Sequence, residues 1–129
     1  MKHKEKTLTR AEFQLMNILW DINHSTSVWD ILERYDEPRP AYTTVATNLK
    51  VLYEKGYVDY FKLPGKGKAH LYVARVQRAE YTRRAMQEVK RDLFGGSLRS
   101  MFSYFIQEEE LEPEELEALL AQVLRDKTE

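Results

Sequence analysis

Three features of the sequence predict a mainly α fold broken by one small β-hairpin. Apolar residues recur at helical spacing through the first fifty-odd positions, and again from about Ala85 to Leu124. Between these stretches, YVDYFKL and AHLYVARV are two β-rich runs joined by the Gly-rich turn PGKGK. Three helices, a hairpin and three more helices is the order that results. The first four of these elements have the layout of a winged helix-turn-helix, with the hairpin as wing. The expected division is therefore a winged-helix domain over residues 1–76 and a helical arm over residues 77–129.

Each element carries its own signals. Thr9 and Glu12 form a capping box, with Leu8 and Phe13 placed as a hydrophobic staple. Leu15, Ile18, Leu19 and Ile22 follow at helical spacing, widened by Met16 and Trp20. Ser27 and Asp30 repeat the capping logic for a second, short helix, VWDILERY, which is expected to bury Val28, Ile31, Leu32 and Tyr35. Pro38 and Pro40 are expected to stop it, because neither supplies a backbone N–H and each forces its predecessor extended. A third helix runs from about Tyr42 to Lys55 and meets Gly56, where a left-handed cap is wanted. In the arm, Ala85, Met86, Val89 and Leu93 mark one helix that ends near Gly95 and Gly96. Ser97 caps the next. Pro113 suits the first position of the last helix, with Glu114 and Glu115 at its positive end.

Composition removes several classes of function. No apolar run approaches ~18 residues, so no membrane span is expected. The basic start MKHKEKTLTR is followed by no apolar h-region, so no secretory signal is expected. The absence of cysteine removes disulfides and thiolate metal sites, and fits a cytoplasmic location. His3, His24 and His70 are scattered without ligand spacing, and neither a P-loop nor a GxGxxG motif is present. The tail glutamates read as a solvated face, not as an acid–base pair. Neither an enzyme, a metal site nor a cofactor is expected.

The net charge of −1 conceals a segregation. From Arg39 to Arg78 only Glu54 and Asp59 oppose Arg39, Lys50, Lys55, Lys62, Lys66, Lys68, Arg75 and Arg78. From Glu108 onward the chain is acidic. A basic middle suits a polyanion, although two ordinary solvated faces would read the same way.

In a helix-turn-helix the second helix of the pair enters the major groove by its exposed face. With Val45, Leu49 and Leu52 turned inward, a helical wheel points Thr43, Thr47, Lys50 and Glu54 outward, with Thr44 and Val51 at the shoulders and Ala46 on a flank. Threonine is a mediocre helix former, so propensity does not explain three of them here. Its hydroxyl can bond a phosphate or a base edge, and its methyl can touch a thymine methyl. The bland reading is that they cap and solubilise a surface helix. Lys62, Lys66 and Lys68 on the wing suit phosphate contact, though lysines also protect edge strands. Trp20, Trp29, Tyr53, Tyr57, Tyr60 and Phe61 lie on or beside apolar stripes and are expected in the core rather than stacked on bases.

The last two helices carry Leu98, Met101, Phe102, Phe105 and Ile106, then Leu116, Leu119, Leu120, Val123 and Leu124. Those stripes are too wide for an arm of about fifty residues to bury by itself. Pairing with a second copy, as a twofold homodimer, is the economical answer.

TRAEFQLMNILW, AYTTVATNLKVLYEKGYV and GKGKAHLYVARV resemble the BlaI/MecI penicillinase-repressor family of bacterial transcription regulators, over nearly the whole chain. The resemblance implies a winged-helix dimer that represses transcription from double-stranded operator DNA with dyad symmetry. Carried over by position, it places Tyr42, Thr43, Thr44, Ala46 and Thr47 on the DNA-facing part of the third helix, and Lys66 and Lys68 on the wing. It also implies induction through a sensor protease and cleavage within the arm at an Asn–Phe bond. The matching position here is Tyr104–Phe105, which lacks the asparagine. A copper-responsive relative carries clustered cysteines that this chain does not have. Two other readings stand beside a dimeric repressor: a winged-helix module that binds protein, and a ligand-sensing repressor without proteolytic induction, which needs a pocket the sequence does not reveal.

Overall fold

A computed structural model describes residues 7–65 and 70–128. Its elements are α1 (Arg10–Ile22), α2 (Val28–Leu32), α3 (Tyr42–Lys55), β1 (Val58–Lys62), β2 (His70–Ala74), α4 (Arg78–Phe94), α5 (Leu98–Glu108) and α6 (Pro113–Thr128). This is a winged helix followed by further helices, as the sequence predicts. The chain forms two compact units, one up to Thr82 and one from Arg83.

The first unit is built around a single core. Leu15, Met16, Leu19, Ile31, Val45, Leu49, Leu52 and Val58 are essentially sealed from solvent. The α1 capping box forms in both halves: Glu12 N–H donates to Thr9 Oγ1 at 3.2 Å, and Thr9 N–H donates to Glu12 Oε1 at 3.0 Å. At the far end of α3, Gly56 takes φ 89° and donates to Tyr53 O, while Tyr57 N–H donates to Leu52 O. That is the six-to-one and five-to-two pattern by which a left-handed residue closes a helix. It turns the chain directly into β1, delivering Tyr57 and Val58 to the core.

For this unit one expectation needs correction, and one pairing has no signal in the sequence. α2 is shorter than VWDILERY and ends at Leu32, well before the prolines. Arg34 N–H and Tyr35 N–H donate to Ile31 O and Leu32 O, three residues back, and this tightening swings Tyr35 into the core. The loop before α2 also does more than cap. Thr26 is buried and pairs with Tyr72 through two backbone bonds of 2.9 and 2.8 Å. It adds a one-residue third strand to the antiparallel hairpin, whose register sets Val58 opposite Ala74, Tyr60 opposite Tyr72 and Lys62 opposite His70.

The aromatic residues also divide differently from expectation. Trp20 and Tyr57 are buried, and the Trp20 indole donates to Val76 O at 2.8 Å. Trp29, Tyr53, Tyr60 and Phe61 are exposed. They lie on rims where α2, α3 and the hairpin run out of neighbours, so an apolar pattern on one element does not ensure a covering layer.

In the second unit, Gly95 and Gly96 both take positive φ. Ser97 then accepts from Ser100 N–H to cap α5. Pro113 opens α6, and Glu115 reaches back to the Glu112 N–H at 2.9 Å. Met101 is the only buried apolar side chain among the described residues of this unit.

Candidate nucleic-acid interface

α3 separates a dry face from a wet one. Val45, Leu49 and Leu52 are fully buried, so the helix cannot roll without opening the core. Tyr42, Thr43, Thr44, Thr47 and Lys50 are consequently exposed, and Ala46 is half-buried on the flank. Thr43, Thr44 and Thr47 line a shallow depression of about 270 Å³ with Asn48.

The N-terminus of α3 is open. Its capping position is Ala41, with no side-chain hydrogen bond, and no acidic residue occupies its first turn. α1, α2 and α5, by contrast, are capped by Thr9, Ser27 and Ser97. The threonines of α3 therefore do not cap it. Its first N–H groups and the positive end of its dipole face outward, an arrangement that favours an anion.

The basic middle is partly spoken for. Lys55 donates to Glu12 Oε1 at 2.6 Å, a contact largely removed from water. Burial pushes the Glu12 carboxyl up, but the Lys55 hydrogen bond, the Thr9 N–H and the Lys55 charge outweigh it and hold the group below its ordinary range. Arg78 meets Asp21 at 3.0 Å and lies 5.3 Å over the Trp20 ring. Arg75 approaches Asp59 only loosely, at 3.8 Å. Lys50 and Lys62 are exposed and make no ion pair among the described residues. Lys66 and Lys68 lie outside the described residues.

A second cleft, of about 350 Å³, lies between α3 and the hairpin, lined by Ala46, Lys50, Tyr53, Tyr60, His70 and Tyr72. Tyr60 stacks on Tyr72, its cross-strand partner, and meets Tyr53 edge-on at 4.8 Å. Burial, and then the neighbouring phenols of Tyr42 and Tyr60, push the Tyr72 hydroxyl above its ordinary pKa. No sequence signal marks this cleft, since it arises from two elements meeting.

In the second unit, Leu98, Phe102, Phe105, Leu119, Leu120, Val123 and Leu124 are exposed, Ile106 and Leu116 are half-buried, and Met101 is covered. Leu93 on α4, 73% exposed, joins the uncovered apolar residues. Tyr104 and Phe105 sit within α5, both exposed, with ring centroids 5.8 Å apart.

Comparison with known proteins agrees with this architecture. The penicillinase repressor family model matches residues 8–125. The methicillin resistance regulatory protein MecI of Mammaliicoccus sciuri is 26% identical over 120 residues, covering 92% of this chain and 94% of that protein. MecI of Staphylococcus aureus strain N315 is 25% identical over the same extent. The penicillinase repressor of Staphylococcus aureus is 23% identical over 119 residues, or 92% of each chain. With a match that spans both units, the chain belongs to the penicillinase-repressor family.

Proposed function

We propose that the chain is a dimeric transcriptional repressor. α3 reads base edges of a dyad-symmetric operator, the Lys-bearing wing grips the backbone, and the arm joins two copies. The observation that carries this reading is α3 itself. Its inner face is sealed, its N-terminus is uncapped, and Thr43, Thr44 and Thr47 stand on the open side. Such a face offers neutral hydrogen-bonding groups and methyls beside a partial positive charge, the combination that major-groove reading needs.

Dimerisation is supported by the apolar residues that α5 and α6 leave in water. A soluble monomer rarely exposes so many together. Joining two half-site readers raises the effective concentration of the second reader, so affinity depends on the arm. Disrupting the arm, by a protease acting near Tyr104–Phe105 or by other means, therefore releases DNA without touching α3. The cleft between α3 and the hairpin supports a second reading, a ligand-sensing repressor, because it is of ligand size and borders the reading face.

The deciding experiment is a gel shift with the DNA upstream of the chain's own gene, against random duplex as competitor. Retention of a specific band supports the repressor. Equal competition by random DNA removes the operator reading.

A further inference from the structure

Trp29 stands on α2 with 65% of its surface in water, although its ring is among the most costly to leave there. Its centroid lies 4.7 Å from that of Tyr42, the first residue of α3, at an interplanar angle of 43°. The pair borders a cleft of about 440 Å³ completed by Leu32, Glu33, Arg39 and Pro40. The indole N–H of Trp29 has no partner among the described residues, whereas that of Trp20 is bonded to Val76 O.

The ring pair continues the reading face. Tyr42 is followed directly by Thr43 and Thr44, so aromatic and hydroxyl groups form one row across the open end of α3. The apolar area at this place is confined to two rings, bounded by threonines and by Arg39, a smaller and more polar surface than a protein-docking patch presents. Arg39 and Glu33 both line this cleft, and Arg39 meets Glu37 at 3.5 Å. The two rings themselves carry no charge, so what they hold they hold without an ion pair.

We infer that Trp29 and Tyr42 make a non-ionic contact with the DNA backbone beside the groove that α3 enters. The ring faces pack on deoxyribose, and the Trp29 N–H donates to a phosphate oxygen. This rests on the proposed DNA binding and adds, through Trp29 on α2, a contact from outside α3 and the wing. It releases no counterion, so it adds affinity without adding salt dependence.

The chain has two tryptophans, and Trp20 is buried, so acrylamide quenching of the intact protein reports Trp29. The probe is a duplex selected by the protein from a random-sequence pool. Binding is followed in parallel by the anisotropy of a fluorescein-labelled copy. Saturating duplex should lower the quenching constant several-fold. Trp29→Ala should raise Kd about tenfold at an unchanged slope of log K against log salt, and Trp29→Phe should recover most of that loss. If Trp29→Ala proves unstable, Trp29→Phe and the quenching of the unaltered protein still decide. A duplex that binds with quenching unchanged and Trp29→Ala silent overturns the inference, leaves DNA binding intact and gives the ring pair to a protein partner. A shallower salt slope in Trp29→Ala overturns its non-ionic character. A protein that binds no duplex at all removes the DNA reading, and this inference falls with it.

Discussion

The ion pair between Lys55 and Glu12 ties the end of α3 to the start of α1, and breaking it by Lys55→Met should destabilise the winged helix by about 2 kcal/mol. A buried pair that loses one partner costs about 3–5 kcal/mol, because the remaining charge stays desolvated. Two features reduce that figure here. The Lys55 side chain is 17% exposed, so water reaches the gap, and Glu12 keeps its hydrogen bond from the Thr9 N–H. Methionine preserves the apolar stem, so the loss is electrostatic rather than steric. For a unit of this size about 2 kcal/mol lowers Tm by roughly 8–16 °C.

The pH dependence separates charge from packing. The Glu12 carboxyl lies below its ordinary value of 4.5 in the folded protein. A depressed carboxyl contributes stability that is fully present above the unfolded pKa and is lost as pH falls through the folded one. In Lys55→Met the opposing influence of burial is no longer outweighed by a cation, and the pKa rises relative to the unaltered protein. The stability difference between the two proteins should therefore hold steady at neutral pH and shrink on acidification through the carboxylate range. Urea melts of both proteins across that range measure it. A difference as large under acid conditions as at neutrality would refute the electrostatic account and assign the effect to the lysine stem.

Three further outcomes follow from the proposed function. Replacing Lys66 and Lys68 with alanine should weaken operator and random DNA alike and lower the salt slope by about 0.9 for each phosphate left without its lysine, read from anisotropy titrations. Thr44→Ala or Thr47→Ala should relax preference at one or two base pairs, at about 1–3 kcal/mol each, while leaving random-DNA affinity nearly unchanged in a competition assay. Phe102→Asp with Leu120→Asp would bury unpaired charges at a pairing surface, at a cost of several kcal/mol, and should yield monomers by light scattering at micromolar concentration.

Local signals were legible in the sequence, and long-range ones were not. The capping box at Thr9, the inward stripe of α3 and the Gly56 turn are each contained within a few residues, so spacing alone discloses them. The Thr26–Tyr72 bridge is not, because a single paired residue has no periodicity. Helix propensity did not reveal where α2 stops, since that depends on Tyr35 finding the core. The exposure of Trp29, Tyr53, Tyr60 and Phe61 depends on the absence of a covering layer, which no one element encodes. The basic middle misled for a similar reason. Glu12 and Asp21 lie far from Lys55 and Arg78 in the chain but meet them in the fold, so counting charges within a window overstates the cations left for a partner.

On the proposed function, that reduced charge links α3 to the arm. Lys55 is locked against Glu12, and Arg78 is held jointly by Asp21, Asn17 and the Trp20 ring. Arg39 and Arg75 each have one loose exposed contact, with Glu37 and Asp59, of a kind worth little, and can exchange it for a phosphate. In the proposed dimer each protomer would bring few cations to a half-site: Arg39, Lys50, Lys62 and Arg75 from the described residues, with Lys66 and Lys68 from the wing. Few counterions would then be released per protomer, so a single protomer should bind weakly and with a shallow salt slope. Two joined protomers release twice as many and should have twice the slope on the same duplex. The monomeric Phe102→Asp/Leu120→Asp protein should accordingly show half the slope of the unaltered dimer as well as lower affinity. If its affinity falls while the slope stays whole, one protomer already makes all the backbone contacts, and the arm serves something other than presenting a second reading head.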